Sequence, residues 1–227
     1  EESAHTQRRF VADASHELRT PLTSLRTNIE VLARADDMPR GERERLLADV
    51  VEQLAEMSEL VAELVALDRA EVPANGPEDV RLDLVASEAI ERLRRQRAGI
   101  TFAPDLEESV VRGVPASIER AIGNLLDNAV KWSPPDGRVE VAVRDGEVIV
   151  RDHGPGIAES DLPYVFDRFY RAPSARGRPG SGLGLAIVRR VAEAHGGSVA
   201  AERATGGGTR VRLAFPGPAG PSGNGSP

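Results

Sequence analysis

The first part of the chain carries apolar side chains at alternating spacings of four and three residues. Before a break at residues 36–41, these positions are Leu18, Leu22, Leu25, Ile29 and Leu32, and after it they are Leu47, Val50, Leu54, Met57, Val61 and Leu64. Such spacing is typical of the seam of a helical bundle. We therefore expect an all-α antiparallel helical hairpin over residues 1–71. Because the apolar stripe is wider than one hairpin can bury, two copies of the chain should form a dimeric four-helix bundle.

The rest of the chain mixes the periodicities of helices and strands. Residues 72–77 have the proline and glycine content of a linker. Helical patterns cover 84–97, 116–132 after Pro115, and 184–195, and strand patterns cover 139–143, 148–150, 198–201 and 210–215. Asp145-Gly146 is a hairpin signal. We expect an α+β sandwich over 78–215, with helices on one face of a mixed, mostly antiparallel sheet, and a disordered tail over 216–227.

Composition removes several classes of function. The net charge is −7, from 29 basic and 36 acidic residues, and this argues against a nucleic-acid partner. There is no cysteine, so disulfides and thiolate metal sites are excluded. No apolar run reaches the roughly 18–20 residues of a membrane helix. We expect the chain as given to be soluble and to be a fragment of something longer.

His16 is the first candidate for a chemically reactive residue. On the heptad set by the leucine seam, His16, Glu17 and Thr20 all face away from the seam. An ordinary solvated surface histidine is the simplest alternative. Its neighbours favour a reactive one, because Glu17 could accept the imidazole proton and free the other ring nitrogen as a nucleophile. Thr20 lies one turn further on, within reach of anything bound at His16.

Pro21 makes this stretch mechanically weak in either of two ways. A continuous helix would lose the hydrogen bond to the carbonyl of Glu17 and kink. Alternatively, a helix could begin here with Thr20 as its N-cap. We favour the kinked helix because Val11 and Leu18 extend the apolar seam upstream.

A second candidate cluster lies on the helix that follows Pro115. Asn124, Asn128 and Lys131 share one face at spacings of four and three, and leucines occupy the other face. Amide oxygens can coordinate Mg²⁺, and a lysine can neutralise phosphate. The alternative is an ordinary amphipathic helix, although asparagine is a poor choice for a helix interior.

Two glycine clusters add to the pattern expected of a nucleotide-binding site. Asp152, Gly154 and Gly156 follow an apolar strand, where a carboxylate could accept a hydrogen bond from a base amino group. Residues 180–185, Gly-Ser-Gly-Leu-Gly-Leu, lead into a helix whose N-terminus would attract anions. Each cluster alone is weak, since Asp-x-Gly is also an everyday turn and the second string is neither a Walker motif nor a dinucleotide fingerprint.

Some thirty residues without strong periodicity separate the two glycine clusters. A segment of this length in a compact domain is usually functional or disordered. It is rich in aromatic and basic side chains, namely Phe166, Phe169, Tyr170, Arg168, Arg171, Arg176 and Arg178. We expect a lid with aromatic anchors and phosphate-seeking cations, the alternative being a flexible basic loop.

Residues 10–22, Phe-Val-Ala-Asp-Ala-Ser-His-Glu-Leu-Arg-Thr-Pro-Leu, resemble the H box of bacterial sensor histidine kinases of two-component systems. The later clusters resemble the N, G1, F and G2 boxes of that family in its order, and residues 206–209 resemble its last glycine box. The resemblance covers residues 3–215. It implies a dimerisation and phosphotransfer hairpin followed by an ATP-binding domain of the gyrase, heat-shock chaperone and MutL type.

The resemblance also implies roles for individual residues. His16 would be the phosphorylated residue that attacks the γ-phosphate of ATP, Glu17 would assist proton removal, and Thr20 would orient water in a phosphatase reaction. Asn128 would hold Mg²⁺. The nucleotide would be bound by Asn124, Asn128, Lys131, Trp132, Asp152, Gly154, Gly156, Arg168, Arg171, Gly180, Gly182, Leu183, Gly184 and Thr209.

By the same resemblance, the chain works as a homodimer and passes its phosphoryl group to an aspartate of a response regulator. It would be a cytoplasmic fragment of an inner or plasma membrane protein, attached to the membrane only through a sensor region that this sequence lacks.

Three positions depart from relatives of this pattern. Related ATPases carry a glutamate where this chain has Asn124, and an amide cannot act as a base. Trp132 stands where the family usually has tyrosine, and His153 where it often has asparagine. Two other functions stay open: a free-standing ATPase, which Asn124 argues against, and a degenerate kinase that serves as a dimeric scaffold or mainly as a phosphatase.

Overall fold

The computed structural model describes residues 22–34, 38–68, 76–97, 99–175 and 180–217. The chain divides into two compact units, one containing the helical hairpin and the other containing residues 76–175 and 182–217. The expected linker over 72–77 and the expected tail over 216–227 lie largely outside the described residues.

The first unit contains two helices. Helix α1 occupies residues 22–34, and helix α2 runs over Arg40–Asp68. The break between the two helices ends at Pro39. Its carbonyl accepts hydrogen bonds from the N–H groups of Glu42 and Arg43, at 2.9 and 3.1 Å, and these bonds form the first turn of α2. Within the unit, the Gln53 side chain on α2 donates to the Ser24 hydroxyl on α1 at 2.9 Å.

The apolar stripe of this hairpin is only partly covered within one chain. Leu25 is buried at 9% exposure. Several other seam positions stay open, among them Leu22, Ile29, Leu47, Leu54 and Val61. Exposed apolar side chains that follow a heptad seam are typical of a helix pair that packs against a further helix pair.

The second unit has three helices and seven strands among its described residues. In chain order they are β1 (Glu78–Arg81), α3 (Leu82–Gln96), β2 (Thr101–Leu106), β3 (Val110–Gly113), α4 (Pro115–Trp132), β4 (Arg138–Arg144), β5 (Glu147–Arg151), α5 (Gly184–Ala194), β6 (Ser198–Arg203) and β7 (Thr209–Ala214).

The main sheet has the strand order β2-β4-β5-β7-β6. Only β2 and β4 pair in parallel, and the other pairs are antiparallel. Strands β1 and β3 form a separate antiparallel ribbon. The β4–β5 hairpin turns at Asp145 and Gly146, whose φ angles of 50° and 78° fit a two-residue turn of the mirror-image type.

The core lies between one face of the sheet and the three helices. Along β4 and β5, valines alternate with more exposed residues, and the valines are buried. Helices α3, α4 and α5 contribute side chains such as Leu93, Leu126 and Val188, all at most 1% exposed. The expected sandwich of helices on a mixed, mostly antiparallel sheet is therefore confirmed.

The structure corrects the element boundaries in several places. Helix α3 begins at Leu82 rather than Leu84, α5 ends at Ala194 rather than His195, and the strands of both hairpins differ from the sequence expectation by one or two residues. Strands β1, β2 and β3 were not expected. Strand β2 contains Pro104, which is tolerated because β2 lies at the sheet edge. In the part of the chain described, no helix is both long and apolar enough to cross a membrane.

Candidate functional site

The candidate site divides between residues that the structure describes and residues that it does not. His16, Glu17 and Thr20 lie outside the described residues, as do Arg176 and Arg178. Gly180 is described, but it is not part of the second unit. The described part of the candidate site therefore belongs to the second unit.

Helix α4 is amphipathic, as its sequence predicts. Leu125, Leu126 and Ala129 are buried against the core. Asn124 and Asn128 are half-buried and Lys131 is exposed. The helix begins with Pro115, which suits its first turn because the proline lacks only an N–H that would have no helical partner.

The C-terminal turn of α4 folds Trp132 back onto Asn128. The indole Nε1–H of Trp132 donates to Oδ1 of Asn128 at 3.2 Å. The Lys131 Nζ lies 5.9 Å from the centre of the Trp132 ring, within cation–π range. Trp132 thus contacts the amide expected to hold Mg²⁺, and Lys131 lies against the Trp132 ring.

Asp152 is a buried carboxylate, only 3% exposed, at the end of β5. Its Oδ1 accepts hydrogen bonds from the backbone N–H of Gly154 at 2.8 Å and of Thr209 at 3.2 Å. Its own N–H donates to the carbonyl of Thr209 at 3.0 Å. Both donors act on one carboxylate oxygen, so the other oxygen can accept from a bound molecule.

Two glycines permit this close packing of loops. A Cβ on Gly154 would collide with the carbonyl oxygen of Trp132 at the end of α4. A Cβ on Gly208 would collide with the carbonyl oxygen of Asp152, and Gly208 also has a φ of +84°. Only glycine lets the backbone approach so closely. Gly208 was not among the residues predicted from the sequence to bind nucleotide, although its place in a three-glycine string was a signal.

The N-terminus of α5 faces Asn124. A Cβ on Gly184, the first residue of α5, would lie 3.8 Å from Cγ and Oδ1 of Asn124. The Asn124 Nδ2 is buried and has no hydrogen-bond partner among the described residues. Leu183 is fully buried, and its contact with a nucleotide stays a prediction. An unpaired amide donor beside a helix N-terminus suits an anionic oxygen.

The segment expected to be a thirty-residue lid is partly folded. Short 3-10 turns occupy Leu162–Tyr164 and Pro173–Ala175. The Tyr170 hydroxyl donates to Asp161 Oδ1 at 2.8 Å, and the N–H of Phe169 donates to the carbonyl of Gly182 at 3.1 Å. These contacts give part of the segment a defined structure, and its movement as a lid stays a prediction.

Arg168 and Arg171, the two arginines expected to contact the nucleotide, both lie in this segment. Arg171 donates through Nη2 to the carbonyl of Ala175 at 2.8 Å, so it stabilises its own turn. Arg168 is half-buried. Their contact with a nucleotide stays a prediction.

His153 points towards strand β4 and pairs with Glu140. Its Nε2 lies 3.0 Å from Glu140 Oε1, and Arg151 Nη1 lies 3.6 Å from Glu140 Oε2. Burial acts to raise the pKa of Glu140, but the hydrogen bond with His153 and the positive charge of Arg151 outweigh it, so the pKa is lowered. Glu140 therefore holds the His153 side chain against the sheet.

The donor set suits a metal ion that arrives with phosphate. No group of three or more His, Cys, Asp or Glu residues that could hold a metal occurs in the described part of the chain. Mg²⁺ usually takes one or two protein oxygens and completes its shell with phosphate and water. Asn128 offers one such oxygen, so the site fits Mg²⁺ only together with a nucleotide.

Comparison with known proteins follows the division into two units. Residues 6–73 match the family model of the His Kinase A (phospho-acceptor) domain, and residues 113–219 match that of the histidine kinase-, DNA gyrase B- and HSP90-like ATPases. A solved structure of a mycobacterial sensor histidine kinase, MprB, is 42% identical with a TM-score of 0.58, and the match covers 62% of this chain and 98% of that one.

The chain belongs to the sensor histidine kinases. Its region matching the ATPase model is an ATP-binding domain. The Acinetobacter baumannii histidine kinase AdeS is 25% identical over 88% of this chain and 98% of that chain, with a TM-score of 0.67.

Curated relatives carry the name signal transduction histidine-protein kinase/phosphatase MprB. The relative from Mycobacterium sp. (strain KMS) is 46% identical over 99% of this chain and 47% of its own length. The relative from Mycobacterium avium (strain 104) is 45% identical over 100% of this chain and 46% of its own length. This histidine kinase chain thus spans about half the length of these relatives.

Proposed function

We propose that this chain binds ATP in the second unit, phosphorylates itself on His16, and transfers the phosphoryl group to an aspartate of a response regulator. The observation that carries the nucleotide part is Asp152. Its Oδ1 is held by two backbone donors, which leaves Oδ2 to accept from the adenine amino group. Guanine presents a carbonyl oxygen at that position, so the same carboxylate disfavours GTP.

The phosphate end of the nucleotide would lie towards α5. The unpaired Asn124 Nδ2 and the N-terminus of α5 can donate hydrogen bonds to phosphate oxygens. Lys131 adds positive charge. Asn128 would hold Mg²⁺ together with phosphate oxygens, and the ion would offset the negative charge that develops on them.

In the phosphorylation step, an imidazole nitrogen of His16 attacks the γ-phosphorus of ATP. The bond from that phosphorus to the β,γ-bridging oxygen breaks, and ADP leaves with the bonding electrons. Glu17 takes the ring proton, which keeps the attacking nitrogen's lone pair available. Asn124 cannot serve as a base for water, so hydrolysis does not compete.

Because His16 precedes the described helices and the nucleotide site lies in the second unit, the two must meet for transfer. We assign the necessary movement to residues 72–77 and to the weak point at Pro21. The phosphoryl group then passes to an aspartate of the regulator. In a separate phosphatase reaction, Glu17 and Thr20 would orient a water molecule that attacks the phosphorus of the regulator's aspartyl phosphate, so that inorganic phosphate leaves and the aspartate carboxylate is restored. The name kinase/phosphatase of the mycobacterial relatives supports this second activity.

Labelled ATP tests the proposal. We expect the unaltered chain to retain label from γ-labelled ATP in an acid-labile, base-stable form, as a phosphohistidine does. His16→Gln should abolish this label while calorimetry shows unchanged ATP binding, whereas Asp152→Ala should lose both.

Two results would contradict it. Full labelling of His16→Gln would move the phosphorylated residue elsewhere. Steady release of phosphate without any phosphoprotein would make the chain an ATPase.

A further inference from the structure

Trp132 lies one helical turn after Asn128 and contacts its side chain directly. The indole Nε1–H donates to the amide oxygen Oδ1 at 3.2 Å. The backbone carbonyl of Trp132 is itself fixed, because Gly154 packs against it too closely for any side chain. The indole therefore extends from a fixed point of the backbone towards the Asn128 amide.

This contact determines which end of the Asn128 amide is which. The indole nitrogen can only donate a hydrogen bond, so the atom it meets must be the amide oxygen. An asparagine amide without such a partner can rotate to exchange its oxygen and nitrogen at little cost. An amide oxygen has two lone pairs, and the bond to Trp132 uses only one of them.

The orientation matters for a cation and not for a nucleotide base. Mg²⁺ coordinates oxygen, whereas the NH₂ end of an amide donates hydrogen bonds and repels a cation. If the Asn128 amide turned over, the position would no longer offer a ligand. A residue that fixes the oxygen end therefore acts on metal binding through Asn128.

We propose that Trp132 is a positioning residue that fixes the oxygen of Asn128 for the Mg²⁺ that accompanies ATP. This inference rests on the proposed function. It gives the indole N–H a task separate from that of the ring, which can line the nucleotide by its surface alone.

The test compares Trp132→Phe in two backgrounds. Isothermal titration calorimetry with a non-hydrolysable ATP analogue, in MgCl₂ and in EDTA, gives the factor by which Mg²⁺ strengthens binding. Taking this ratio cancels any loss of ring contact with the nucleotide. Trp132→Phe should reduce the factor by about two- to tenfold, the range expected for one neutral hydrogen bond.

The Asn128→Asp background supplies the control. A carboxylate presents oxygen at both ends, so its orientation needs no fixing. Adding Trp132→Phe to Asn128→Asp should leave the Mg²⁺ factor unchanged. If Trp132→Phe does not fold, replacing Trp132 with 3-(3-benzothienyl)alanine removes the N–H and keeps the shape of the ring.

The outcomes separate the inference from the proposed function. An unaltered chain that binds the analogue no better with Mg²⁺ than with EDTA would overturn the Mg²⁺ part of the proposed function. An unaltered chain with normal Mg²⁺ enhancement, but with an equal effect of Trp132→Phe in both backgrounds or none in either, would overturn the role of Trp132 alone.

Discussion

The lack of a side chain at Gly208 allows the loop that contains this residue to pack against Asp152. The glycine has a φ of +84°, and a Cβ there would overlap the carbonyl oxygen of Asp152. Its neighbour Gly207 has a similar φ of +100°, but an added Cβ would meet nothing within 4 Å. At both positions a residue with a side chain would be strained by the positive φ, but only at Gly208 would its Cβ also collide with a neighbouring atom.

We expect Gly208→Ala to weaken ATP binding more than tenfold, because the new methyl group must push Asp152 away from its backbone donors. Gly207→Ala is the matched control and should cost stability through its φ alone, about 1 kcal/mol, with ATP affinity nearly retained. Calorimetric titration and thermal unfolding of both variants measure the two effects. Equal losses of affinity would show that strain, and not the collision, is what matters.

At the scale of elements, one buried carboxylate joins the start of α3 to the sheet. Asp83 receives two hydrogen bonds from Arg81, at 2.8 and 2.6 Å, and a third from the N–H of Ser109 at 3.3 Å. The Ser109 hydroxyl in turn accepts from the N–H of Gly146 in the β4–β5 turn at 2.8 Å. The hydrogen bond from Arg81 is the main cause that lowers the pKa of Asp83 to about 2.

This pKa predicts how stability depends on pH. A carboxyl whose pKa is lower in the folded state stabilises the fold above its unfolded pKa of about 3.9, and that stabilisation is lost as pH falls towards 2. Asp83→Asn should therefore lower the urea midpoint at pH 7, and the gap to the unaltered chain should narrow between pH 4 and pH 2.5.

Asp79→Asn is the control for that series. Asp79 pairs with Arg112 at 3.4 Å on the surface, where its side chain is 69% exposed, and such pairs contribute little. It should shift the midpoint only slightly at any pH. A gap between Asp83→Asn and the unaltered chain that stays constant from pH 7 to pH 2.5 would disprove the assigned role of Asp83.

At the scale of the whole molecule, the open apolar stripe of the hairpin predicts a homodimer. Leu54 belongs to the heptad seam and is 48% exposed within one chain, whereas Val31 is 42% exposed but lies off the seam. Similar exposure with different positions makes the two residues a matched pair.

Leu54→Glu should weaken dimerisation more than tenfold, because a carboxylate would be buried without a partner. Val31→Glu should leave the dimer intact. Sedimentation equilibrium at several concentrations distinguishes these results. A dimer that tolerates Leu54→Glu would exclude this seam as the interface.

Local sequence patterns were sufficient for much of this protein. Periodicity identified the helices of the second unit and the β4–β5 hairpin, because each pattern reflects the side chains that one element must bury. It also placed Asn124 and Asn128 on one face of α4. Strands β1, β2 and β3 escaped prediction because they are short or, in β2, carry a proline that only an edge position tolerates.

Only the tertiary structure brought the site together. The bond between Asp152 and Thr209 joins residues 57 positions apart, and the packing of Gly154 on Trp132 joins a loop to a helix end. The sequence determined which residue types were available and which element carried each of them. The fold decided which atoms meet, because contacts between distant segments depend on sheet pairing and backbone clearance that no local pattern encodes.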